Sequence, residues 1–120
     1  MPHFVVEYSS GVERLVGQET LMGSLYEAAV ASGVMNPQDI KIRALAYDTF
    51  RFEGNIQTFI HVTVSLLAGR NDTQKEHLAL LLRESLDKSC GGVDSISIDI
   101  RDMDPVAYKK RLKRTEPPCG

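Results

Sequence analysis

Hydrophobic and polar positions follow two rhythms along this chain, and each rhythm occurs twice. The stretch Phe4–Tyr8 (FVVEY) is rich in β-branched and aromatic side chains and predicts a short strand, followed by the turn-forming SSG of Ser9 to Gly11. From Gln18 to Ala31 the apolar positions Leu21, Met22, Leu25, Ala28 and Ala29, continued by Ser32, recur at intervals of three and four. That spacing predicts an amphipathic helix with Gly33 as its stop. In IKIRALAYDTF the period becomes two: Ile40, Ile42 and Ala44 point one way, Lys41, Arg43 and Leu45 the other, so a second strand is expected. The FEGN around Gly54 reads as a hairpin-like connection into a third strand, Thr58 to Leu67. A second helix then opens with Asn71 or Asp72 as N-cap and stacks Leu78, Leu81, Leu82 and Leu86 on one face. Gly91 and Gly92 end it, and SISIDIRDM places Ile96, Ile98 and Ile100 on one side of a fourth strand.

The element order is therefore strand, helix, strand, twice over. The halves align at an offset of about fifty-five residues, FVVEYS with FIHVTVS and IKIRA with ISIDI. They define pseudo-repeats at about 2–50 and 57–104 of a single domain, with a tail at 105–120. A βαβ unit has parallel strands and, in nearly every case, a right-handed crossover. Two such units side by side give an α/β (α+β) fold: a four-stranded sheet with both helices on one face. The other face carries Leu45, Tyr47, Phe59 and the carbon skeleton of His61. An apolar sheet face left open predicts association, most simply around a closed symmetry axis.

Composition narrows the possibilities further. With 120 residues, 42% hydrophobic and 25% charged, the chain has a globular make-up, and its formal charge of −2 supplies no general attraction to nucleic acid or anionic membranes. The longest apolar run, Val62 to Ala68, falls well short of the roughly twenty residues of a membrane span. The first residues lack the basic region and long apolar core of a secretory signal, and Cys90 and Cys119 have no framework spacing, so a reducing cytoplasm is expected. His3, His61 and His77 are not spaced as metal ligands, and no metal or other cofactor is expected.

Candidate chemistry begins with the second residue. Removal of Met1 makes Pro2 a secondary amine, whose pKa falls toward neutrality where cations and apolar walls disfavour the protonated form. The second repeat starts inside the chain and has no such amine. Arg70 stands where the third strand turns into its helix, next to amides that favour anions. Its alternatives are a solvated cap or an ion pair with Asp72 or Glu76. Lys41 and Arg43 share a strand face and require water, a carboxylate from a neighbouring subunit, or a bound anion. His61 reads as a structural histidine and His77 as a solvated one. Tyr8, Tyr47, Phe50 and Leu45 are assigned to packing, with exclusion of water as the second role for Phe50 and Leu45. The basic run in YKKRLKR is taken as a solvated face or a contact with a neighbouring subunit, and Pro117–Pro118 as a frayed end.

The stretches PHFVVEYS, IKIRALAYDTF and FIHVTVSLLAGRNDTQKE resemble the 5-carboxymethyl-2-hydroxymuconate isomerase family of the tautomerase superfamily, which also includes 4-oxalocrotonate tautomerase. AGRNDTQKEHL with SISIDIRDM resembles a complete subunit of the short tautomerases. The resemblance implies a homotrimer acting in aromatic-compound catabolism, with a proline base and arginines that hold the carboxylates of a small dienol or unsaturated keto acid. It maps the base to Pro2 and one arginine to Arg70. Lys41 falls where the family places an arginine, Arg43 lies two residues on, and Ser97 occupies the repeated position. A lysine lacks the planar fork that grips a carboxylate in two places. The alternatives are another superfamily reaction, a hydration with loss of halide or a decarboxylation, for which Glu7 is a candidate for the extra group by nearness in sequence alone, or a trimeric binding protein without chemistry.

Overall fold

The structure, a computed structural model, describes residues 2–113; Met1, Pro117, Pro118 and Cys119 lie outside the described residues. The chain forms β1 (His3–Ser9), α1 (Gln18–Ser32), β2 (Lys41–Tyr47), β3 (Phe59–Leu67), α2 (Asp72–Ser89) and β4 (Ser95–Met103), with short 3-10 turns at Ser10–Arg14 and Pro37–Asp39. The sheet order is β2-β1-β3-β4. Strand β1 runs parallel to β2 and antiparallel to β3, and β3 runs parallel to β4. The two βαβ units thus join through their first strands.

Strict alternation in the two central strands decides what is buried. Phe4, Val6 and Tyr8 of β1 and Ile60, Val62, Val64 and Leu66 of β3 lie under the helices. They pack with Leu21, Leu25 and Ala29 of α1 and with Leu78, Leu82 and Leu86 of α2. Each such Leu or Phe contributes about 1.5–3 kcal/mol of transfer free energy, so this layer dominates stability. Tyr8 is fully buried, yet its hydroxyl donates to Glu13 at 2.6 Å and accepts from Gln18 at 2.9 Å. A buried phenol needs such partners.

The helix ends follow local chemistry. Asn71 is the N-cap of α2 in a full capping box: its side chain accepts from the Gln74 amide at 2.8 Å, and Gln74 accepts from the Asn71 amide at 3.0 Å. Gly33 closes α1 with φ of 69°, a left-handed conformation that costs glycine no Cβ clash.

Two expectations need correction. The FEGN segment does not form a hairpin, because β1 lies between β2 and β3. The chain from Asp48 to Thr58 instead crosses the end of β1, turning at Gly54 with φ of 73°. Leu45 is not a packing residue within this chain: it is 57% exposed, on the sheet face opposite the helices. Its open face also presents His3, Val5, Glu7, Arg43, Tyr47, His61 and Thr63.

Candidate active site

Pro2 is buried at the start of β1, and its carbonyl accepts from the Lys41 amide at 3.1 Å. This bond continues the β1–β2 ladder by one step and ties the first residue described to the start of β2. In the antiparallel register His3 faces Ser65, so Pro2 stands beside Leu66, where β3 ends. Lys41 extends its ammonium back to the Asp39 carbonyl at 3.2 Å, which keeps that charge at the same end of the sheet.

Arg70 arrives there from the turn after β3. Its Nε donates to the Val34 carbonyl at 3.2 Å and its Nη1 to the Leu67 carbonyl at 3.1 Å. Among the described residues it makes no ion pair with Asp72 or Glu76; Asp72 instead meets Lys75 at 3.7 Å, and Lys75 also reaches Asp102 at 3.2 Å. A guanidinium has five N–H donors. The two carbonyls orient the fork, and its Nη2 edge makes no hydrogen bond among the described residues.

Arg43 lies further along β2, opposite Val5, exposed on the open face. Its Nη1 donates to His3 Nδ1 at 3.4 Å, and His3 Nε2 lies 3.0 Å from the Tyr108 hydroxyl. Burial, then the charges of Lys41 and Arg43, hold His3 below the ordinary histidine value of 6.5. The structure therefore gathers Pro2, Lys41 and Arg70 at one sheet end and sets Arg43 beside them through His3. In the sequence His3 stands out only as a histidine without metal-ligand spacing. The signal was its odd-numbered place in β1, on the face of Lys41 and Arg43.

The opposite end of the sheet holds Glu7, Tyr47, His61 and Phe50. Glu7 accepts from the Tyr47 hydroxyl, and that bond, ahead of burial, raises the Tyr47 pKa above 10.0. Five residues of strand put Glu7 roughly 17 Å from Pro2 in the same chain, so nearness in sequence does not bring it to the proline. His61 Nδ1 meets Ser97 Oγ at 2.6 Å, and His77 is exposed on α2. Phe50 is half-buried in a cluster with Phe52 and Phe59, whose ring centres lie 5.2 Å from Phe50 in the case of Phe59 and 5.9 Å in the case of Phe52. A groove of about 590 Å³ runs between α2 and β4, lined by Leu80, Arg83, Glu84, Asp87 and Ile96. It contains none of the candidate residues. Among the described residues no group of His, Cys, Asp and Glu is arranged to hold a metal ion, and no helix is long and apolar enough to cross a membrane.

Comparison with known proteins adds the following. A family model described as 5-carboxymethyl-2-hydroxymuconate isomerase matches residues 2–111. No curated protein matches the chain at a significant level. Among solved structures, a 5-carboxymethyl-2-hydroxymuconate delta-isomerase superposes with a TM-score of 0.77 at 13% identity, over 94% of this chain and 89% of that one. A 5-carboxymethyl-2-hydroxymuconate isomerase from Deinococcus radiodurans R1 gives 0.72 at 16%, over 93% and 90%. A fused wild-type 4-OT symmetric trimer gives 0.65 at 21%, over 85% of each chain. At these identities the solved structures establish the shared fold.

Proposed function

The chain belongs to the 5-carboxymethyl-2-hydroxymuconate isomerase family and is an isomerase of tautomerase type; from that premise we propose that it interconverts the 2-hydroxydienoate and 2-oxo-enoate forms of a small unsaturated di- or tricarboxylate. The base is the secondary amine of Pro2, exposed by loss of Met1. Pro2 takes the proton of the 2-hydroxyl group and returns a proton to the far carbon of the diene, so the double bonds shift and no atom is gained or lost. Burial and positive neighbours keep the amine neutral. Arg70, Arg43 and Lys41 bind the carboxylates and draw electron density toward oxygen, where charge grows in the transition state.

The observation that supports this reading most is the placement of Pro2, the oriented Arg70 fork and Lys41 at the same end of the sheet. The open sheet face, with Leu45 57% exposed, supports assembly of subunits, and the trimeric 4-OT relative supports three. Neighbouring subunits then wall the site that a single chain leaves open.

The test joins mass spectrometry and kinetics. Intact mass of protein from its native host is expected to show Met1 removed, and 2-hydroxymuconate is expected to ketonise in an ultraviolet assay. Pro2→Ala should lose at least about a hundredfold in kcat, the usual scale of a general base, with its oligomeric state unchanged. Retained Met1 in active protein, or full activity in Pro2→Ala, would overturn the proline mechanism.

A further inference from the structure

We propose that Tyr108 is a further carboxylate-binding residue and His3 the positioning residue that couples it to Arg43, so that the segment after β4 completes the anion-binding side of the site. The proposal rests on the functional reading above.

The segment is built to deliver this tyrosine. After β4 ends at Met103, Asp104 organises a turn: its side chain accepts from the Val106 amide at 2.9 Å, and its carbonyl accepts from the Ala107 and Tyr108 amides at 3.2 and 2.9 Å. The chain reverses, and Tyr108 reaches past β3 to His3 of β1, a residue 105 positions away. The two rings meet edge to face, centres 5.8 Å apart at 68°. Tyr108, which opens the basic run, thus returns to its own sheet at the proline end, while Lys109, Lys110, Arg111 and Lys113 after it are exposed.

Donor chemistry fixes the direction of each bond. A guanidinium can only donate, so His3 Nδ1 must present its lone pair to Arg43. In a neutral imidazole the single N–H is then on Nε2, and it donates to the Tyr108 oxygen at 3.0 Å. The hydroxyl hydrogen of Tyr108 is left available for another acceptor. The groups that face His3 among the described residues are Lys41 and Arg43 on β2 and Tyr108 and Lys110 after β4; its partner on β3 is the uncharged Ser65. Among the described residues Arg43 has no carboxylate partner. The acceptor that such an array lacks is an anion, and a substrate carboxylate supplies it.

Tyr108→Phe removes one oxygen and keeps the ring, so the fold should survive, as a melting curve will report. With 2-hydroxymuconate as substrate and adipate as a saturated dicarboxylate probe, Tyr108→Phe is expected to raise KM and weaken adipate binding about tenfold, with kcat within about twofold, the scale of one hydrogen bond to a charged group. His3→Leu should do at least as much, and the double variant no more than the worse single one. His3→Gln offers an acceptor toward Arg43 and a donor toward Tyr108 and should recover most of the affinity. Wild-type KM and adipate affinity in Tyr108→Phe would overturn the proposal, whatever happens to stability. A wild type that binds adipate in a Tyr108-dependent way without ketonising the dienol would sink the functional reading and leave this array standing.

Discussion

Asp94 joins the starts of two strands through one carboxylate. It accepts from the Gln57 amide at 2.8 Å and the Thr58 amide at 3.0 Å, while its own amide donates to Thr58 Oγ1 at 2.9 Å. Those bonds favour the ionised form, the Gln57 amide most, and hold the Asp94 pKa below 3.8. The sign of the pH effect follows. The unfolded chain protonates at higher pH than the folded one, so the contribution is complete above about 3.8 and disappears as pH falls through the lower folded value. Thermal melting across a pH series should show Asp94→Ala below wild type at neutral pH, with the gap closing under strong acid. A gap that stayed constant would refute the linkage. Two residues at the other sheet end show what was and was not legible at this scale. Pro2 is a candidate base from its residue type and its place in the chain alone, whereas the contact of His3 needs Tyr108, which folding brings from 105 positions away.

The contrast between the two helices carries the lesson at the scale of elements. In α2 the signals sit within one turn: Asn71 and Gln74 form the capping box, and Leu78, Leu82 and Leu86 are all buried. Asn71→Ala is expected to lower unfolding stability by about 1 kcal/mol, read from urea denaturation with an unchanged m-value; no change would mean that the box adds nothing to the fold. Helix α1 follows Gly17 at its N-cap, which has no side chain to make a cap bond, and its stability comes from packing Leu21, Leu25 and Ala29. Both helices and all four strands were legible because period and punctuation are local properties. The FEGN turn marks the limit of such local signals. A glycine at positive φ marks a reversal, but a hairpin also requires adjacent strands, and β1 separates β2 from β3.

At the scale of the molecule, both helices cover one face of the sheet and the other face stays open, with Leu45 at its β2 edge. If that face joins subunits, Leu45→Glu buries a charge at the contact, which is costly without a partner. Analytical ultracentrifugation should find a trimer for wild type and a smaller species for Leu45→Glu, with helix content retained; an intact trimer in the variant would place the contact elsewhere. Arg70 illustrates how much was open before folding. A cap, an ion pair and a site cation were all compatible with its neighbours in the chain, and only the approach of Val34 and Leu67 orients its fork. By itself the sequence determined the two βαβ rhythms, the apolar stripe of each element, and the presence of a proline at the second position with three candidate cations, because side-chain period and charge are properties of short stretches. Tertiary structure alone decided the strand order, the company that His3 keeps and the direction in which Arg70 points, because these depend on contacts between segments that the chain holds far apart until the core has formed.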